Sequence, residues 1–247
     1  MPRRGPRVLF PMGASAMGEY VSGGYFLTRL VQMTKWMASG LVPERVVTLS
    51  SCLTAVVPRG WYLNEPPEPR NLGTALKLGV PEDRLSGVYP WMAAHPPDPP
   101  DVWPYAFTTL ERAREFAREF LTAATEARLI GAALHRSLVD RFLALAADEQ
   151  GRTNVSEHTE AVKLGRSPAS GGRVLGFEVM GDNVKEDHSL LCTGGEKDIA
   201  TAFGIRLNAH GLIDTFADAV RAAEWSSGEG HAEPCDYLPW RLDEYDW

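Results

Sequence analysis

Residues 173–213, RVLGFEVMGDNVKEDHSLLCTGGEKDIATAFGIRLNAHGLI, read as strand, turn, strand and helix, and the fold class follows from them. Val174, Leu175, Phe177, Val179 and Met180 form a strand-like apolar run, and Leu190 and Leu191 precede a turn. Thr193 followed three residues later by Glu196 has the spacing of a capping box. Ala200 and Phe203 then continue an apolar face up to Gly204, placed for a left-handed C-cap. The same stretch holds the chain's best chemical candidates, Cys192, His188 and Glu196.

Working outward, residues 214–225 predict a last helix capped by Asp214, with Phe216, Ala219, Val220 and Ala223 inward. The end of the chain, from Tyr237 through Trp240 to Trp247, alternates aromatics or Leu with acids, as an edge strand buried on one face would. On the other side, Gly151–Gly172 is polar, holds Pro168 and Gly171-Gly172, and reads as a loop and boundary. Before it, Ala127–Leu134 predicts a buried strand followed by a helix through Leu138, Phe142 and Leu145. Thr108-Thr-Leu-Glu111 predicts a capped helix through Leu110, Ala113, Ala117 and Phe120.

Arg45–Val57 is β-branched and apolar enough for a strand or hairpin, with Cys52 inside it as a buried small hydrophobe. Tyr25–Gly40 spaces Phe26, Leu30, Met33 and Met37 along one helical face. It follows a short strand at residues 7–13 and a small-residue loop ending at Gly18. That loop has neither the Lys-Ser/Thr of a phosphate loop nor the glycine spacing of a dinucleotide fingerprint.

Eleven of the 18 prolines fall between Pro58 and Pro104, together with Trp61, Trp91 and Trp103. Proline opposes both helix and central strand, so this predicts a long irregular arm, with at most a short helix near Leu72–Leu78, whose rings either pin it to the body or present a recognition surface. The reading of the whole is an α+β (or α/β) protein with a mixed sheet and about four helices. It is taken as one globular domain over residues 1–247 with possibly two lobes, an N-terminal α/β lobe over 1–150 carrying arm 58–104, and a C-terminal α+β lobe over 173–247.

Composition narrows the function classes. A net charge of −7 and a pI near 5.4 argue against a general nucleic-acid binder. The apolar run after the basic start is too short for a signal peptide, and no segment nears a membrane span, so the expectation is a cytoplasmic protein. Three widely spaced cysteines without a C-x-x-C pair predict free thiols, and six histidines without H-E-x-x-H spacing give a zinc hydrolase no support. No cofactor motif and no metal site is read.

Two functions remain. The first is an acidic protein-binding module, of inhibitor or immunity type, that meets a partner with a basic surface through Trp61, Trp91, Trp103, Tyr237 and Trp240. The second is a cysteine-dependent enzyme acting on a small molecule, with Cys192 as nucleophile, activated by the N-terminus of the helix just after it, and with His188 and Glu196 beside it. If residues 188–192 are extended, His188 and Cys192 are ~13 Å apart, and the base would instead be His158 or His210.

Overall fold

The computed structural model describes residues 18–33, 40–50, 52–57, 69–95, 106–123, 125–145, 157–183, 186–228 and 235–247. The class is α+β, as read from the sequence. A six-stranded sheet is built from β1 (Tyr20–Arg29), β4 (Val56–Val57), β5 (Ala127–His135), β6 (Arg173–Asn183), β7 (Glu186–Ser189) and β8 (Tyr237–Tyr245). Their order is β4-β1-β5-β8-β6-β7. Every pairing is antiparallel where a mixed sheet was expected. A two-stranded ribbon joins β2 (Val31–Gln32) to β3 (Arg45–Val46).

Seven α-helices, against an expected four or so, lie among the described residues: α1 (Pro69–Leu78), α2 (Leu85–Ala94), α3 (Leu110–Phe120), α4 (Val139–Leu145), α5 (Glu157–Lys163), α6 (Glu196–Phe203) and α7 (Phe216–Ser226). Two helices sit in the proline-rich arm: α1 covers the short helix allowed near Leu72–Leu78, and α2 is unforeseen. Pro69 stands at the first position of α1, where a missing N–H costs nothing, and only Pro90 lies inside α2. Another, α5, lies in the stretch expected to be a loop.

Alternation along the central strands assigns the two faces. In β5, Leu129 and Ala133 point one way and Ile130, Ala132 and Leu134 the other. The first face packs α3 through Phe116 and Phe120 at one end, and α6 and α7 through Ile199, Ala219 and Ala222 at the other. The second face carries Phe26, Leu238, Trp240 and Leu242 against Phe142 of α4, Val162 of α5 and the segment Val47–Leu49. A lone charge there would be costly, and between the two helical packs of the first face Arg241 donates through Nε and Nη2 to Asp243 at 3.2 and 2.7 Å. Its guanidinium carbon lies 4.2 Å from the Tyr20 ring centre.

Two further expectations change. Residues 25–29 continue a strand rather than opening a helix, because both faces of β1 are buried and no polar alternation marks it as extended. A bulge at Gly23-Gly24 lets it follow β5. Gly24 has φ +102°, and a Cβ on Gly23 would come within 2.5 Å of the Trp240 ring. The other is β8, which pairs with β5 and β6 and is a buried central strand, not an edge. Its acids read as solvent-facing, yet Asp243 is held by Arg241, and Glu244 accepts hydrogen bonds from Arg128 of β5 and Arg173 of β6.

Burial opposes the charge on Glu244, but the two arginines outweigh it and hold the carboxyl below its ordinary value. A depressed folded-state pKa gives stability that is fully present above the unfolded carboxylate range and is lost as pH falls through the lowered folded value. Glu244→Gln is therefore expected to cost about 1–2 kcal/mol at pH 7, an allowance reduced for the exposed arginines, with the deficit closing below about pH 4. Urea titrations of both proteins at several pH values check it. An equal deficit at pH 3 and pH 7 would contradict the charge-based account.

Candidate functional site

The most polar cluster on the second face starts from Glu178 of β6, opposite Trp240 and 3% exposed. A buried carboxylate needs donors. Thr48 Oγ1 donates to one oxygen, and the Leu49 backbone N–H donates to the other at 2.9 Å. The Ser50 N–H in turn donates to Thr48 Oγ1 at 3.0 Å. Glu178 thus fixes the segment that leaves β3, 130 residues away in sequence.

Beyond it the chain turns. Ser50 O accepts from the N–H groups of Leu53 and Thr54 at 3.2 and 3.1 Å, which lifts Cys52 to the surface. There the Cys52 Sγ lies 3.4 Å from Nδ1 of His188, on the terminal strand β7. Ser50 Oγ, two residues back, lies 3.3 Å from Sγ of Cys192. Two thiols, a hydroxyl and an imidazole thus gather where Ser50 and Cys52 meet the β7 end of the sheet.

The three expected catalytic residues separate. Cys192 ends a 3-10 turn, Leu190–Cys192, capped by Ser189 Oγ, which accepts from the Leu191 N–H at 3.3 Å. The expected capping box does not form. Thr193 Oγ1 donates to Leu190 O at 3.2 Å, Gly194 reverses the chain at φ +73°, and Gly195 occupies the N-cap of α6 without a side-chain bond. So Cys192 stands three residues short of the cap that was to activate it. Burial pushes its thiol up to about 11, against bonds from Ser50 and the Ser189 backbone. His188 faces Cys52, and Glu196 is buried on α6. Of the alternative bases, His158 is buried against the Trp240 ring at 4.3 Å, with Nδ1 2.9 Å from Gly23 O. His210 receives the Val47 N–H on its own backbone carbonyl.

Cys52, expected as a buried small hydrophobe, is exposed. The sequence carries little signal for its role, since its partner lies 136 residues away. The nearest hint is the polar run Ser50-Ser51-Cys52, which suits a turn better than a buried strand.

Of the aromatic residues expected to meet a partner, Tyr237 and Trp240 are 0% and 2% exposed within β8, so neither presents a surface. Trp91 on α2 is pinned to the body. It stacks on His95 at 4.2 Å and packs edge-on to Phe116 and Phe120, with the Arg112 guanidinium 5.9 Å from its ring centre. Trp61 and Trp103 lie outside the described residues, as do the predicted strand at 7–13 and the small-residue loop before Gly18. Among the described residues, no group of three His, Cys, Asp or Glu side chains is placed to hold a metal ion, and no helix is long and apolar enough to cross a membrane. Comparison with protein-family models, curated proteins and solved structures gave no match.

Proposed function

We propose that this chain is a cysteine-dependent enzyme in which Cys52 is the nucleophile and His188 its base. The observation that carries this reading is the 3.4 Å contact between an exposed thiol and an imidazole, because a thiol becomes a strong nucleophile when an adjacent base takes its proton. The reaction class is acyl transfer from an ester or thioester of a small molecule. The imidazole removes the thiol proton, the thiolate adds to the carbonyl carbon, and the C–X bond breaks as the imidazolium returns the proton to the leaving group. Water then cleaves the acyl-thioester, so that R–CO–X and water become R–COOH and HX. Cys192 takes no part in covalent chemistry here; through Ser50 it helps to fix the turn that presents Cys52. A reducing, cytoplasmic setting keeps both thiols free.

The test is single-turnover acylation with p-nitrophenyl acetate. The expected result is a burst of one nitrophenolate per chain that Cys52→Ser abolishes and Cys192→Ser retains. His188→Gln should slow the burst by about tenfold, a modest share of what a positioned base supplies. A burst that survives Cys52→Ser, or one that His188→Gln leaves at full rate, would overturn the assignment.

A further inference from the structure

Apart from the thiol site, a cavity of about 200 Å³ opens between α6 and the strand-like segment that follows it. Its walls are Leu41, Ala200, Ile205 and Leu207. Glu196 lies in its wall, and Arg206 lines it as an exposed residue, which places Arg206 at the mouth. Glu196 is only 3% exposed, and among the described residues no hydrogen bond or ion pair reaches its carboxylate. Its carboxylate oxygens keep some accessible surface and Glu196 lines the cavity, so a ligand there can reach them with a charge-assisted hydrogen bond. Glu196 sits in the first turn of α6.

We propose that this cavity is a binding site for an ω-amino carboxylate, with the ligand's ammonium on Glu196, its methylene chain along Leu207 and Ile205, and its carboxylate on Arg206 at the mouth. Size, polarity and charge each point there. A 150 Å³ cavity holds benzene, so this one takes roughly eight non-hydrogen atoms, the size of 5-aminopentanoate. A divalent cation would need several oxygen ligands, and among the described residues Glu196 is the one carboxylate in the lining. An alcohol or amide would leave the charge of Glu196 uncompensated, whereas an ammonium supplies a charge-assisted hydrogen bond. This proposal is independent of the Cys52 reading.

Isothermal titration with 5-aminopentanoate, n-pentylamine and pentan-1-ol tests it. The expected order of affinity follows the charges, with 5-aminopentanoate first, pentylamine next and pentanol at least about tenfold weaker than the amine. Glu196→Gln should weaken both amines at least tenfold, and Arg206→Ala should remove the advantage of 5-aminopentanoate over pentylamine. Ala200→Leu keeps the carboxylate and fills the space, so it should abolish binding, and it decides the matter if Glu196→Gln does not fold. No binding of either amine at about 10 mM, or undiminished binding in a folded Glu196→Gln or Ala200→Leu protein, would overturn the proposal.

Discussion

At pH 7.5, Cys192 is expected to react with iodoacetamide at least about 100-fold more slowly than an ordinary thiol, while Cys52 labels first. Only the thiolate is alkylated, and burial raises Cys192 from 9.0 to about 11, which lowers its thiolate fraction by about two powers of ten. The sign is fixed by the cause. Desolvation disfavours the charged form, and the charges of Cys52 and Glu178 push in the same direction, while hydrogen bonds from Ser50 and the Ser189 backbone only partly offset them. Removing Ser50 Oγ should slow Cys192 further, because its hydrogen bond favours the thiolate. Mass spectrometry of peptides containing residues 52 and 192 across pH 6–10 reads both thiols in one experiment. Equal labelling of the two at pH 7.5 would remove the distinction on which the choice of Cys52 rests.

Trp240→Ala is expected to cost about 4 kcal/mol, and so to lower Tm by roughly 8–16 °C for a chain of this size. The ring is 2% exposed, lies flat on His158 at 4.3 Å and meets Phe142 edge-on at 5.2 Å. It also covers Gly23, whose missing Cβ is what admits it. The ring ties together several elements, since α4, α5 and the β1 bulge all meet it. Calorimetry or urea unfolding checks the value. A loss below about 1 kcal/mol would mean that Trp240 is not a core residue, and would return it to the candidates for meeting a partner.

The two expectations are linked by the way Glu178 and Trp240 share one register position on β6 and β8. Trp240 fills the apolar volume of the second face, and Glu178 beside it anchors the segment that presents Cys52. A polar anchor inside a close-packed face gives the turn a fixed height above the sheet. That fixed height lets a thiol meet an imidazole contributed by a strand from the other half of the chain.

Local signals decided what local physics controls. The strand at 127–135, the helices that begin near 110, 139 and 216, and the left-handed Gly204 after α6 (φ +69°) were all legible, since period, cap residues and glycine act within a few positions. Even there the neighbour won twice. Thr109 rather than Thr108 accepts from the Arg112 N–H, and Thr215 rather than Asp214 accepts from the Asp218 N–H.

Burial on two faces, by contrast, erases period. β1 and β8 are packed on both sides, so one resembled a helix and the other an edge, and only pairing with β5 and β6 fixed them as inner strands. The candidate site belongs wholly to the tertiary structure. Cys192 looked activated because it precedes a helix, yet the chain inserts a turn and buries it. Cys52 and His188 become neighbours only because the sheet order puts β7 at the edge that Cys52 reaches. A contact between residues 136 positions apart leaves no periodicity and no spacing to read, so the sequence alone determined the class of fold and its packing decided which thiol meets a base.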